Sequence, residues 1–214
     1  MGVGLQPSRM SSLPPRKFVP NRPSMASVRG RGEVSRIAPS DPARALPLAR
    51  AIPDGWYRAQ ALSCIAEHAP AAEIAGLLRE AVTAAYAGPD AYSTVAVMSW
   101  PLRAALKRGH DSFARRELDK VLRLAPEVEP CASRMFALNC LWSGCDDADE
   151  AFAEPIWQAI LVLCHPDRHW RAARLYRNIA EVREQRRPGS AAAVIAAMPA
   201  GRARTALARR FKLA

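Results

Sequence analysis

Acidic residues and long apolar stretches are both scarce in this sequence. Only 20 Asp and Glu face 31 Lys and Arg, so the formal net charge is +11, and a charge of this sign favours acidic partners. No uncharged apolar stretch reaches the roughly 18 residues of a membrane-spanning helix, so we expect no membrane span. Hydrophobic residues still make up 50% of the chain, which is enough for a packed core and excludes disorder throughout.

The motifs that mark common enzyme sites are missing as well. The sequence has no Gly-rich phosphate-binding loop, no Gly-x-Ser-x-Gly nucleophile and no His-Glu-x-x-His zinc motif. None of the four histidines has a convincing carboxylate partner nearby in the sequence. We therefore predict a non-enzymatic protein that needs no cofactor.

Cysteine usage indicates a reducing compartment. The five cysteines include no Cys-x-x-Cys pair, and their odd number argues against a disulfide framework. We predict reduced thiols packed in the core of a cytoplasmic protein. A zinc site can be drawn from Cys140, Cys145, His165 and His169, but the gap between its halves exceeds the roughly 12 residues of a zinc finger, so we predict no metal.

Basic residues and prolines are concentrated at the start of the chain. Residues 1–40 contain seven Arg and Lys and six prolines, with Glu33 as their single acid, and their apolar residues show no helical or strand period. Such a segment cannot bury enough surface to order itself, so we predict a disordered basic tail rich in Pro, Arg and Ser. Its composition resembles bacterial type III secretion leaders, which makes secretion into a host cell the alternative to a cytoplasmic location.

From Asp41 onwards the composition is typical of helices. Ala and Leu become frequent, and five prolines follow one another at intervals of 33 to 41 residues, each between two apolar segments: Pro53, Pro89, Pro130, Pro166 and Pro199. A proline ends the helix before it, and the Asp that follows three of these prolines can cap the next helix. Those residues are Asp54, Asp90 and Asp167.

The spacing of apolar residues supports this interpretation. Residues 71–87 place apolar side chains along one helical face: Ile74, Leu77, Leu78, Ala81, Val82 and Ala85. We predict an all-α domain over 41–214, built as a short right-handed α-solenoid of about five helix pairs, in which each pair buries one face against its neighbours.

The segment Leu48–Leu62, which reads Leu-Ala-Arg-Ala-Ile-Pro-Asp-Gly-Trp-Tyr-Arg-Ala-Gln-Ala-Leu, resembles the HEAT/TPR-like helical repeats of bacterial proteins. The resemblance is strongest over 45–90 and 160–180 and weaker between them. It implies a scaffold or adaptor that binds other proteins and supplies no catalytic residues.

Arginines occur at nearly equivalent places after four of the five prolines, namely Arg58, Arg134, Arg171 and Arg204. In a solenoid such positions stack into a ladder, which would bind carboxylates of an acidic protein partner on the concave face. The alternative is local, because Asp54–Arg58 and Asp167–Arg171 have the i,i+4 spacing of pairs that brace a helix.

A second basic run favours nucleic acid as the alternative partner. Arg168, Arg171, Arg174 and Arg177 recur every three residues, with Trp170 and Tyr176 beside them. A remote enzyme option rests on Trp142 and Asp146, whose spacing resembles a pair in HEAT-like alkylpurine DNA glycosylases. The partner-binding residues that we predict are Arg58, Arg134, Arg171, Arg174, Arg204, Trp170 and Tyr176.

Overall fold

The computed structural model describes residues 24–145, 148 and 150–213, and all regular secondary structure in them is helical. This confirms the all-α prediction. The helices are α1 (Met25–Ile37), α2 (Pro42–Arg50), α3 (Gly55–His68), α4 (Ala71–Tyr86), α5 (Ala91–Val97), α6 (Ser99–Lys107), α7 (Asp111–Leu124), α8 (Cys131–Gly144), α9 (Glu150–Leu163), α10 (Trp170–Arg186), α11 (Ala191–Ala197) and α12 (Arg202–Arg210), with a 3₁₀ turn at Ala125–Glu127.

The predicted tail was wrong for residues 24–40. Ser24 caps α1 by accepting a hydrogen bond from the Ser27 backbone N–H, and Val34 and Ile37 are buried. Helix α1 packs against α2 and α3, so the helical body extends well before Asp41. The remainder of the predicted tail, 1–23, lies outside the described residues.

The five prolines all lie in connections between helices, as their spacing predicted. They precede α3, α5, α8, α10 and α12. The expected pairing holds less regularly, because Pro89 precedes two short helices before α7, and Pro199 precedes α12 alone within the described part of the chain. An additional pair, α1 and α2, comes before Pro53.

Packing follows the apolar period. Five of the six residues predicted to form the apolar face of α4 are buried, and Val82 is partly buried against the same core. Helix α3 packs against α1, α2, α4, α5 and α6, and α8 packs against α5, α6, α9 and α10. Each helix therefore buries its apolar surface mainly against helices that are close in chain order. None of the helices in the described ranges combines the length and apolar composition that a membrane crossing requires.

Two of the three predicted Asp caps are correct. The Asp54 carboxylate accepts a hydrogen bond from the Trp56 backbone N–H, and Asp90 accepts one from Ser93. The expectation for Asp167 was wrong. Its two carboxylate oxygens accept hydrogen bonds from the backbone N–H groups of Arg202 (2.9 Å) and Ala203 (2.8 Å), at the start of α12.

His169 takes the local role that was predicted for Asp167. Its Nδ1 accepts a hydrogen bond from the Arg171 backbone N–H at 3.1 Å and so caps α10. Asp167 instead ties the start of α12 to the turn before α10, a contact across about 35 residues. It therefore helps to set how α12 lies against the preceding helices.

Candidate partner-binding groove

Three of the predicted arginines are bonded to the chain itself. Arg58 donates to the Ile52 carbonyl at 3.1 Å, Arg134 to the Val128 carbonyl at 3.1 Å and Arg204 to the Met198 carbonyl at 3.3 Å. In each case the acceptor lies six residues earlier, within the connection before the helix and one or two residues before its proline. We call Arg58, Arg134 and Arg204 the joint arginines.

Arg134 is the most heavily engaged joint arginine. It also donates to the Pro126 carbonyl at 3.0 Å and to Glu129 at 2.6 Å, and only 14% of its side chain is exposed. At these three positions of the predicted ladder, the guanidinium groups therefore donate to backbone carbonyls of their own chain. The predicted Asp54–Arg58 brace does not form either, because Asp54 caps Trp56 and Arg58 reaches the Ile52 carbonyl.

Arg171 differs from the joint arginines because its helix begins later. The residues after Pro166 form a turn, and α10 starts only at Trp170, so that Arg171 is the second residue of its helix, whereas Arg58 and Arg134 are each the fourth. Arg171 and Arg174 are exposed, and neither side chain makes an ion pair or hydrogen bond with a residue in the described part of the chain. We call Arg171 and Arg174 the groove arginines.

Tyr176 does not lie on a surface, so its prediction as a partner-binding residue was wrong. Its side chain is fully buried, its hydroxyl donates to the Ile160 carbonyl at 3.3 Å, and its ring packs edge-on against Trp157. Burial raises the pKa of the Tyr176 phenol far above its usual value. Tyr176 follows Arg174 by two residues, which is about half a helical turn, so it lies on the inner face of α10 while Arg174 lies on the exposed face.

The groove arginines lie beside a groove between α8 and α10. The groove has a volume of about 430 Å³ and combines aromatic, basic and amide side chains. Its lining consists of Tyr92, Ser133, Met135, Phe136, Asn139, Trp170, Arg171, Arg174, Leu175 and Asn178. Phe136 is 49% exposed and Trp170 is 64% exposed, which is unusual for large apolar side chains and typical of interaction surfaces.

The groove continues towards the C-terminal ends of the same two helices. A second cavity of about 250 Å³ shares Asn139 and Asn178 with the first and adds Trp142, Ser143, Glu181, Val182 and Gln185. The first cavity is lined by the first halves of α8 and α10, and the second by their later halves. The two helices therefore run in the same direction along one α8–α10 groove.

An aromatic stripe extends from this groove across the earlier helices. Phe136 lies 6.3 Å from Tyr92, and Tyr92 stacks on Trp56 at 6.1 Å between ring centroids. Burial raises the pKa of Tyr92, while the positive charge of Arg171 opposes the rise, so this arginine lies close to the stripe. Tyr92 and Phe136 were not predicted as site residues, although an aromatic residue near the start of α3, α5, α8 and α10 was a detectable signal.

Cations also line a larger groove, of about 600 Å³, beside α6 and α7, but the chain itself engages most of them. Arg103 and Lys107 both pair with Glu67, at 3.2 and 3.0 Å. Arg115 donates to the Ala151 carbonyl at 3.0 Å. In the α8–α10 groove the side chains of Arg171 and Arg174 make no ion pair or hydrogen bond within the described chain, and the Arg171 guanidinium lies 5.4 Å from the centre of the Trp170 ring. This groove is therefore a better candidate for a partner site than the groove beside α6 and α7.

Trp142, one residue of the glycosylase-like option, does not lie at the surface. Trp142 is 5% exposed, and the Arg183 guanidinium lies over its ring at 5.0 Å and over that of Trp157 at 5.5 Å. An indole covered in this way cannot stack on a base without rearrangement. Asp146 lies outside the described residues.

No three His, Cys, Asp or Glu side chains in the described ranges are close enough together to hold a metal ion. The set Cys140, Cys145, His165 and His169 is therefore not assembled as a site. None of the five cysteines, all within the described residues, belongs to a disulfide. Cys145 and Cys164 are buried as predicted, but Cys131 is exposed at the first position of α8.

Comparison of the chain with protein-family models, with curated proteins and with solved structures finds no match to any of the three. We therefore infer function from the residues of the α8–α10 groove.

Proposed function

We propose that this chain is a non-enzymatic scaffold or adaptor of the HEAT/TPR-like kind, with its helices stacked as a short right-handed solenoid. The recurrent contact of the joint arginines supports the repeat, because an arginine reaches a carbonyl six residues earlier after three of the five prolines. Similar joints between successive helices are the expected result of a repeated sequence unit. The cytoplasm is the proposed location, with secretion into a host cell as the alternative.

The exposure of the groove arginines is the observation that most supports a binding function. Two exposed guanidinium groups without acidic partners in the described chain lie beside the exposed rings of Phe136 and Trp170. Interfaces are enriched in this combination of arginine and aromatic residues. An acidic protein segment supplies both the carboxylates and the apolar side chains that the α8–α10 groove accommodates.

Nucleic acid is the second candidate, favoured by the exposed arginines of one stretch of the chain. Arg168, Arg171, Arg174 and Arg177 are all exposed, and Trp170 lies among them. A protein partner fits better, because the α8–α10 groove combines its two exposed arginines with apolar and amide side chains that suit a peptide.

A selection from a phage library of random peptides tests the proposal. With the full-length chain immobilised, we expect the library to converge on related peptides, and we expect the same selection on the Phe136→Glu variant to lose them. The substitution places a carboxylate in the groove at a position that is half exposed, so the fold should persist, as circular dichroism can check.

Absence of convergence, or equal convergence on both proteins, would contradict protein binding through this groove. A mobility-shift titration with single- and double-stranded oligonucleotides examines the second candidate. Binding that falls by about 10³–10⁵ between 50 and 200 mM salt would identify nucleic acid as the partner instead.

A further inference from the structure

Resting on the proposed function, we infer that the α8–α10 groove binds an extended acidic peptide of about five to seven residues, in which carboxylates flank an aromatic side chain at one end. The peptide lies along the two helices, with its acidic and aromatic end beside Phe136, Trp170 and Arg171 and its other end beside Trp142 and Glu181.

The length of the peptide follows from the length of the groove. On α8 the lining runs from Ser133 to Ser143, and on α10 from Trp170 to Gln185. At 1.5 Å per helical residue these stretches are about 15–22 Å long. An extended chain advances about 3.3 Å per residue, so five to seven residues span the groove.

The aromatic end is set by the exposed rings. Phe136 and Trp170 lie on opposite sides of the groove, with Tyr92 and Leu175 completing an apolar surface at that end. An aromatic side chain of the peptide gains more from this surface than a small one, because it buries more area and can pack edge-to-face against a ring.

The charges of the lining make the groove directional. Arg171 and Arg174 lie at its aromatic end, and guanidinium groups bind carboxylates through two parallel hydrogen bonds. Glu181 lies at the other end and pairs with Arg210 at 2.7 Å. A peptide carboxylate is thus attracted to the first end. The lining of the second end, among the described residues, includes Glu181 but no Lys or Arg, so a neutral residue fits better there.

The middle of the groove suits a peptide backbone. Asn139 and Asn178 line both cavities and face one another across the groove. Each side-chain amide offers both a donor and an acceptor, as a peptide group does. These two residues can bond to the main chain of the peptide without selecting its side chains, which leaves selectivity to the aromatic and basic end.

The test uses peptides recovered by the phage selection, synthesised with a fluorescent label and titrated by anisotropy into the full-length chain. Arg171→Glu is the informative variant. Arg177→Glu is the matched control. The substitution reverses the same charge on the same helix, but Arg177 lines the groove between α10 and α12 and not the α8–α10 groove.

We expect the recovered peptides to carry two or more carboxylates next to an aromatic residue. Arg171→Glu should weaken binding about 10-fold or more, which corresponds to one charge-assisted contact, and Arg177→Glu by less than about 3-fold. A peptide in which Lys replaces the carboxylates should bind Arg171→Glu more tightly than the original peptide does. The same Lys peptide should bind the wild type more weakly than the original peptide.

Three results would overturn the inference while leaving protein binding intact. These are recovered peptides without carboxylates, equal weakening by the two variants, and a peptide whose binding needs no aromatic residue. A selection that yields no peptides at all contradicts the proposed function itself, so the two failures are distinguishable.

Discussion

The joints between helices and the outer face of α10 use the same side chain in opposite ways. At the joints, Arg58, Arg134 and Arg204 donate hydrogen bonds to carbonyl groups of their own chain. On α10, Arg171 and Arg174 remain exposed beside aromatic rings. Equivalent positions in a sequence therefore do not imply equivalent roles. Arg171 is the second residue of its helix, whereas Arg58 and Arg134 are each the fourth.

The largest expected effect in this comparison is a loss of stability at the best-bonded joint. Arg134→Ala removes donors to two carbonyls and to Glu129 in a site where the side chain is mostly buried. We expect the free energy of unfolding to fall by about 3 kcal/mol, since hydrogen bonds of charged groups contribute about 1.5–3 kcal/mol each and do not add fully. Urea unfolding measures it.

Arg174→Ala is the matched control for that experiment. Its side chain is exposed and makes no hydrogen bond within the described chain, so we expect a change below about 0.5 kcal/mol. Equal losses in the two variants would abolish the distinction between joint and groove arginines.

The next effect concerns the long-range cap of α12. Asp167→Ala removes the acceptors of two backbone N–H groups, and we expect a loss of about 1–2 kcal/mol. Hydrogen exchange should accelerate at Arg202 and Ala203, while amides of α8 stay protected. Gly201→Ala should act in the same direction, since a Cβ there would collide with the Asp167 carboxylate. Unchanged exchange in α12 would contradict the cap.

Substitution of the arginine at the two weaker joints should lower the free energy of unfolding less than Arg134→Ala does. Arg58→Ala and Arg204→Ala each remove one guanidinium hydrogen bond to a carbonyl, so we expect the free energy of unfolding to fall by about 1.5 kcal/mol for each in urea unfolding. A loss as large as that of Arg134→Ala would show that packing of the arginine stem, and not the number of hydrogen bonds, determines the strength of a joint.

Cysteine reactivity gives the smallest and most local test of the Arg134 joint. Cys131 is exposed next to it, whereas burial raises the pKa of Cys164 to about 11, with Arg134 opposing that rise. At pH 7.5 we expect an alkylating reagent to label Cys131 first and Cys164 last, because little thiolate forms below the pKa. Mass spectrometry identifies the labelled residue, and early labelling of Cys164 would show an open joint.

Sequence periodicity predicted the elements better than it predicted the site. The apolar face of α4 and the helix boundaries at five prolines follow from local rules, and both appear as expected. Helix α1 was missed because its Gly and Arg residues hide a sparse apolar pattern in which Val34 and Ile37 do most of the burying. Small residues at tight contacts carry little signal in a hydrophobicity pattern.

The site was harder to predict because it depends on contacts between distant residues. Whether an arginine is free depends on which carbonyl it can reach, and the late start of α10 results from a turn whose Asp167 bonds to α12. Tyr176 was assigned to the surface from its neighbours in sequence, whereas the helical period turns it inwards. Phe136 was missed because exposure cannot be read from an apolar residue in an apolar stretch.

The most direct test of the account is the affinity of a recovered acidic peptide for three proteins: the wild type, Arg171→Glu and Arg177→Glu. We expect a Kd that rises about 10-fold or more for Arg171→Glu and stays within about 3-fold of the wild type for Arg177→Glu. Equal Kd values for the wild type and Arg171→Glu would contradict the claim that the groove arginines bind the partner.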